Sequence, residues 1–235
     1  LILTPEQAYK KELLEKEASH KLNITADNIT CIRVIKKSID ARNGRPKVNI
    51  TLDVFWNENP PVEKKKEFNF QSVSDKQPVL VIGAGPAGLF AALQLIELGY
   101  KPIVLERGKN THERKIDIAQ LNRNKEFNPE SNYCFGEGGA GTFSDGKLFT
   151  RSRKKGDIQR IYELFHYHGA DDNILHESHP HIGSDKLPLV IENITNTIIS
   201  HGGEVHFEEK LTGLIIENKR IEGCETHTGK TFSAK

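Results

Sequence analysis

Residues 79–108 read VLVIGAGPAGLFAALQLIELGYKPIVLERG. A short apolar run, a glycine turn, an apolar helical stretch, a second apolar run and an acid follow one another in the order of a strand–turn–helix–strand unit. Gly83, Gly85 and Gly88 form G-x-G-x-x-G, and Glu106 arrives at the end of the second run. Gly83 permits a tight turn out of the strand. Gly85, without a Cβ, lets a pyrophosphate approach the backbone, and Gly88 lets the helix lie close to the sheet. Pro86 and Ala87 open the helix, whose free N–H groups and macrodipole favour an anion. Glu106 is placed to accept hydrogen bonds from a ribose diol. Residues 78–96 carry no charge, a length that also suits a membrane span. Pro86 and the three glycines in its middle fit a strand–turn–helix and not a continuous lipid-exposed helix.

The spacing alone is weak: with 19 glycines in 235 residues, chance supplies it with probability of roughly 0.12. Requiring Ala92, Gly99 and the acid as well lowers this to roughly 10⁻⁴. The motif is therefore read as functional.

Composition sets the frame. Hydrophobic residues are 36% and charged residues 28%, as in a globular chain with a sizeable core. A net charge of +1 offers no electrostatic attraction to nucleic acid or a membrane surface. Cys31, Cys134 and Cys224 are far apart and form no C-x-x-C, which suggests a reducing, cytoplasmic setting. No secretory signal is visible at the start. Methionine is absent, and the expectation is that these residues are part of a longer polypeptide.

Around the motif, residues 5–20 read as a helix opened by Pro5. Residues 32–41 and 47–56 read as two strands joined at Asn43-Gly44, with Val48, Ile50, Leu52 and Val54 alternating. A polar, proline-containing linker follows at 57–68. The expected domains are a small α+β unit at 1–70 and a nucleotide unit at 71–235. Within the latter, 157–170 and 187–203 read as helices, 204–209 as a strand, and the remainder as a β-meander. Strands near 79–83, 102–106 and 204–207 are expected to form one side of a parallel sheet. A further strand, beyond Lys235, is expected to pack beside the first.

Other residues carry weaker signals. FGEGGAGTFSDGKL (135–148) has five glycines and reads as a second backbone cradle for phosphate or flavin, with a flexible surface loop as the alternative. Gly138, Gly139, Ala140, Gly141 and Thr142 are its candidate contacts. Five histidines fall between 166 and 181, in a spacing that fits no zinc pattern. They read as a histidine-bearing loop, with His179 or His181 as a candidate acid/base. No metal is expected. Cys134 is either a thiol beside a flavin or a buried structural thiol, the second being favoured. RSRKK (151–155) reads as a solvated face rather than a phosphate site.

The motif residues resemble the FAD-binding start of the two-dinucleotide-binding-domain flavoproteins. NPESNYCFGEGGAGTFSDGKL, HPHIGSDKLP and KKSIDAR resemble the FAD-dependent, also called NAD-utilizing, dehydrogenases of bacteria and plastids. That resemblance implies an α/β fold: a Rossmann-like FAD/NAD(P)-binding domain with a β-meander, preceded by the small α+β domain. It implies FAD as the dinucleotide, with NAD(P)H as a possible electron donor. The implied cofactor-binding residues are Gly83, Gly85, Pro86, Ala87, Gly88, Glu106, Arg107, Gly138, Gly139, Ala140, Gly141 and Thr142. The expected function is an FAD-dependent oxidoreductase whose substrate and catalytic residues are unassigned. An NAD-dependent dehydrogenase, or a non-redox flavin-binding module in scaffolding or RNA-modification machinery, are the alternatives.

Overall fold

The computed structural model describes residues 1–42, 44–62, 66–150 and 156–234. Asn43 of the expected hairpin turn and the basic run 151–155 lie outside the described residues. The chain divides into two compact units that interleave along the sequence.

The first unit comprises residues 1–66, 147–166 and 171–181. Its sheet is antiparallel, in the order β1 (Ile2–Leu3), β3 (Lys47–Trp56), β2 (Ile29–Asp40). Val48 and Ile50 point to one face, and Leu3, Ala8 and Leu14 pack on them. The expected single helix over 5–20 is two helices, α1 (Pro5–Tyr9) and α2 (Lys11–Leu22). Lys10 between them is extended, at φ −99° and ψ 118°. Neither proline nor glycine marks the break. It lets Ala8 and Leu14 join one apolar cluster with Val48 and Ile50, so tertiary packing overrides the local helical pattern. Thr4 caps α1 reciprocally with Gln7. Residues 176–178 extend the sheet: Lys37 N–H donates to the His176 carbonyl and Ser178 N–H to the Lys37 carbonyl, each over 2.9 Å. Helix α5 (Ile158–Tyr167), opened by the Asp157 carboxylate, lies almost wholly in this unit.

The second unit comprises residues 67–146, 167–170 and 182–235. Its parallel sheet runs in the order β4 (Pro78–Ile82), β5 (Lys101–Leu105), β6 (Glu204–His206). Helix α3 (Pro86–Glu97) follows β4, α4 (Thr111–Asn124) follows β5, and α6 (Leu187–Ser200) precedes β6. α3 buries Leu89, Ala92, Leu93 and Ile96, one stripe at helical spacing. α6 buries Val190, Ile191, Ile194 and Ile198 and packs against α3. Each fully buried Leu or Ile contributes about 1.5–3 kcal/mol. The meander β7 (Leu211–Glu217), β8 (Arg220–Thr226), β9 (Thr231–Ser233) is antiparallel. Leu211, Cys224 and Phe232 from it cover Leu80, Ile103 and Leu105. β6 stops at His206, short of the expected Glu209, because Glu208 takes a left-handed φ of 57°.

Candidate functional site

β4 ends at Ile82, and the chain turns at Gly83 with φ +95°, a conformation that disfavours any side chain. A Cβ on Gly88 would lie 1.9 Å from the Gly83 carbonyl oxygen and 3.3 Å from Val81 Cγ1. Helix α3 therefore sits against the turn at a distance only glycine allows. Gly85 is different. A Cβ there would meet nothing within 4 Å, so its bare backbone faces open space. Gly85 starts α3 with Pro86 behind it, and no side chain caps this end. The orphan N–H groups of the first turn, those of Ala87 and Gly88 among them, are what an anion requires.

Glu106 follows β5 and is buried, at 5% exposure. Its carboxylate accepts three backbone N–H groups: Ala84 at 2.8 Å, Gly108 at 2.9 Å and Gly136 at 3.1 Å. It ties the first glycine turn, the turn after β5 and the second glycine loop to one point. A carboxylate offers about four acceptor positions, so about one remains for a ligand hydroxyl.

The second glycine loop packs on the first. Gly138 N–H donates to the Ala84 carbonyl at 2.7 Å, and Glu137 N–H to the Lys109 carbonyl at 3.0 Å. A Cβ on Gly139 would lie 3.2 Å from Pro86 Cδ and 3.5 Å from Gly85 Cα. The loop is held from behind by Arg114 of α4, a fully buried arginine. Its guanidinium donates to the carbonyls of Asn132 (2.8 Å), Tyr133 (3.1 Å) and Glu137 (2.7 Å), and to Thr142 Oγ1 (3.1 Å). The Glu137 carboxylate accepts from Thr111 N–H at 2.7 Å and from Thr195 Oγ1. Burial pushes the Glu137 carboxyl above its usual pKa and lowers that of Arg114. Neither residue stood out in the sequence. The available signal was the acid set directly between two of the loop's glycines, Gly136 and Gly138.

A cavity of about 370 Å³ opens here, walled by Gly83, Gly85, Glu106, Arg107, Phe135, Gly136 and Gly139 among others. Its size falls in the range of roughly 300–1,000 Å³ typical of small-molecule sites. A larger hollow, about 450 Å³ in the first unit, includes none of the expected site residues in its wall. The arrangement fits a dinucleotide: open space at Gly85, an uncapped helix start and a buried carboxylate beside both.

The other candidates are sorted by the same geometry. Gly138 and Gly139 both donate their N–H groups inward, Gly139 to the Gly136 carbonyl at 2.9 Å. Ala140 and Gly141 are exposed on a short 3-10 turn. Thr142 is buried, its hydroxyl donating to the Glu137 carbonyl at 2.8 Å. Cys134 departs from the favoured reading. It is exposed and on the cavity wall, while the buried thiol is Cys224, among β-sheet side chains. The difference follows from Asn132, whose side chain accepts from Cys134 N–H at 2.8 Å and turns the residue outward. The histidines do not gather: His166 meets Asp172, His168 meets Thr197, and His179 lies against Phe149. Among the described residues no three His, Cys, Asp or Glu side chains come together as metal ligands. Nor is any helix among them long and apolar enough to cross a membrane.

Residues 76–118 match the family described as "FAD binding domain", and residues 1–55 match a domain of unknown function, DUF8436. The first match coincides with the turn, α3, β5 and Glu106, and supports FAD binding. An uncharacterized protein of Clostridium beijerinckii is 37% identical over 238 residues, covering 95% of this chain. The chain spans 44% of that relative's length. Among solved structures, a 3-ketosteroid-Δ4-(5α)-dehydrogenase from Rhodococcus jostii RHA1 is similar at 12% identity and TM-score 0.41, over 70% of this chain and 44% of that one. An oxidoreductase from Methanosarcina mazei is similar at 14% identity and TM-score 0.34, over 67% of this chain and 57% of that one.

Proposed function

We propose that this chain carries the FAD site of a flavin-dependent oxidoreductase, in a Rossmann-like domain. The observation that carries the proposal is the joint between an uncapped helix start at Gly85 and the buried Glu106 carboxylate, 2.8 Å from the N–H of Ala84. In this reading the first turn of α3 donates backbone N–H groups to the pyrophosphate. Glu106 uses its remaining acceptor position for a ribose hydroxyl. The second glycine loop, fixed by Arg114, closes one side of the site and limits water. Bound FAD supplies hydride acceptance and release, with NAD(P)H as the proposed donor. The setting proposed is cytoplasmic.

The G-x-G-x-x-G turn also suits NAD, so the spectrum of the purified protein decides. Flavin absorption bands that are lost in Gly85→Val support FAD. A protein that purifies without flavin, and binds NAD but not added FAD, would sink the proposal in favour of a nicotinamide site.

A further inference from the structure

The cavity of about 450 Å³ in the first unit is walled by β2, the start of α5 and residues 175–178, among others. Val34 pairs with Leu52 and Lys36 with Thr51, so Ile35 is one residue too many on β2. Such a bulge breaks the strict alternation of side chains, and Ile35 and Lys36 both stand on the cavity wall. Lys37 points the other way. Its ammonium lies over the Tyr9 ring, 4.3 Å from the centre, and pairs with Glu177 at 3.4 Å. Lys37 and Glu177 also face each other in a parallel bridge. Side chains alternate about such a bridge, which sets Lys36, His176 and Ser178 on the opposite face, where all three line the cavity.

The acids on this wall are engaged and the donors are not. Glu177 is taken by Lys37, and the Asp157 carboxylate accepts the Arg160 N–H at 3.1 Å, where it opens α5. Among the described residues, no hydrogen bond or ion pair engages the side chain of Lys36, His176 or Ser178. Burial, and then the charge of Lys37, lower the His176 pKa, so at neutral pH its ring is an uncharged donor. One ammonium with two uncharged donors suits a single negative charge, whereas a phosphate dianion calls for more cations. Ile35, Phe149, Ile158 and Leu175 supply apolar surface beside them. We propose that the first unit holds a small-molecule site of its own, which takes an aromatic monocarboxylate, with the carboxylate on Lys36, His176 and Ser178 and the ring against Ile35 and Phe149. Every wall residue belongs to the first unit, so the site stands without the FAD reading.

Calorimetric titration of the full chain with 2-naphthoate and with 2-naphthylmethanol, the same rings without the charge, tests the idea. The wild type should bind 2-naphthoate about tenfold more tightly, the worth of one charge-assisted hydrogen bond. Lys36 is exposed, so Lys36→Met should unfold at the wild-type temperature. It should lose about that tenfold for 2-naphthoate and bind 2-naphthylmethanol as before. Ser178→Ala should cost 2-naphthoate a smaller factor, about threefold. A wild type that binds neither compound, or both equally, would overturn the site. So would 2-naphthoate affinity unchanged in Lys36→Met and Ser178→Ala. Displacement of 2-naphthoate by an equal concentration of inorganic phosphate would overturn the choice of a carboxylate.

Discussion

The backbone N–H of Gly138 donates to the carbonyl of Ala84 over 2.7 Å, so the two glycine-rich loops, more than fifty residues apart, form one wall. Glu106 fastens the same wall from below through Ala84 and Gly136. Substitutions here should separate residues that shape the fold from those that leave room for a ligand.

Gly88→Ala places a methyl 1.9 Å from the Gly83 carbonyl oxygen, where only backbone movement relieves the clash. The expected loss is about 3 kcal/mol of stability, the upper range for overpacking, together with loss of FAD binding. Gly85→Ala meets open space, and its stability should stay within about 0.5 kcal/mol of wild type. FAD affinity should nevertheless fall. Urea unfolding paired with flavin titration checks both, and equal destabilisation of the two variants would contradict the assignment.

Glu106→Ala leaves three buried backbone N–H groups without their acceptor. At about 1–3 kcal/mol for each unsatisfied group, the protein should lose stability as well as cofactor. This differs from a residue that only touches the ribose. A variant with normal thermal unfolding and no flavin would show that the three bonds matter little to the fold.

Arg114→Met removes the donor from three carbonyls and Thr142 while keeping much of the side-chain volume. We expect about 3 kcal/mol or more of destabilisation, concentrated in residues 132–142. Protease cleavage within that loop should speed up before the rest of the unit is attacked. Uniform cleavage across the chain would argue that Arg114 supports the whole unit and not the loop.

Acid stability should report on Glu209. Burial acts to raise its pKa, but hydrogen bonds from Lys230, Thr226 and Thr228 outweigh it and hold the carboxyl at about 2, against 4.5 unperturbed. A folded-state value below the unfolded one favours folding above pH 4.5, and that gain is lost as pH falls toward 2. Glu209→Gln should flatten this part of the stability–pH curve. Wild type and variant with parallel curves between those limits would refute the assignment.

Much of the site was legible because its devices are local. The glycine turn, the helix start and Glu106 lie within one continuous segment, and each glycine's role follows from steric need at its own position. Arg114 and Glu137 were not legible. Each works through partners brought close only by the folded sheet, such as Glu137 with Thr195, 58 residues on. The break at Lys10 was hidden for a related reason: its cause lies in packing on the sheet, not in the helix. The exposure of Cys134 was not legible either, because an asparagine two residues earlier sets the local turn. Similarly, no composition shift announces that 171–181 joins the N-terminal sheet, since the link is made at Lys37, by two backbone bonds and an ion pair to Glu177.

That last link bears on how the chain is made. The first unit needs residues 171–181, yet 67–146 of the second unit leave the ribosome before them. Synthesis therefore cannot complete one unit and then begin the other, as it can with domains strung in series. The sheet around β2 must wait with an unfilled edge while β4, α3 and β5 emerge. A pause in translation before residue 171 should lengthen that wait and raise the demand for chaperones.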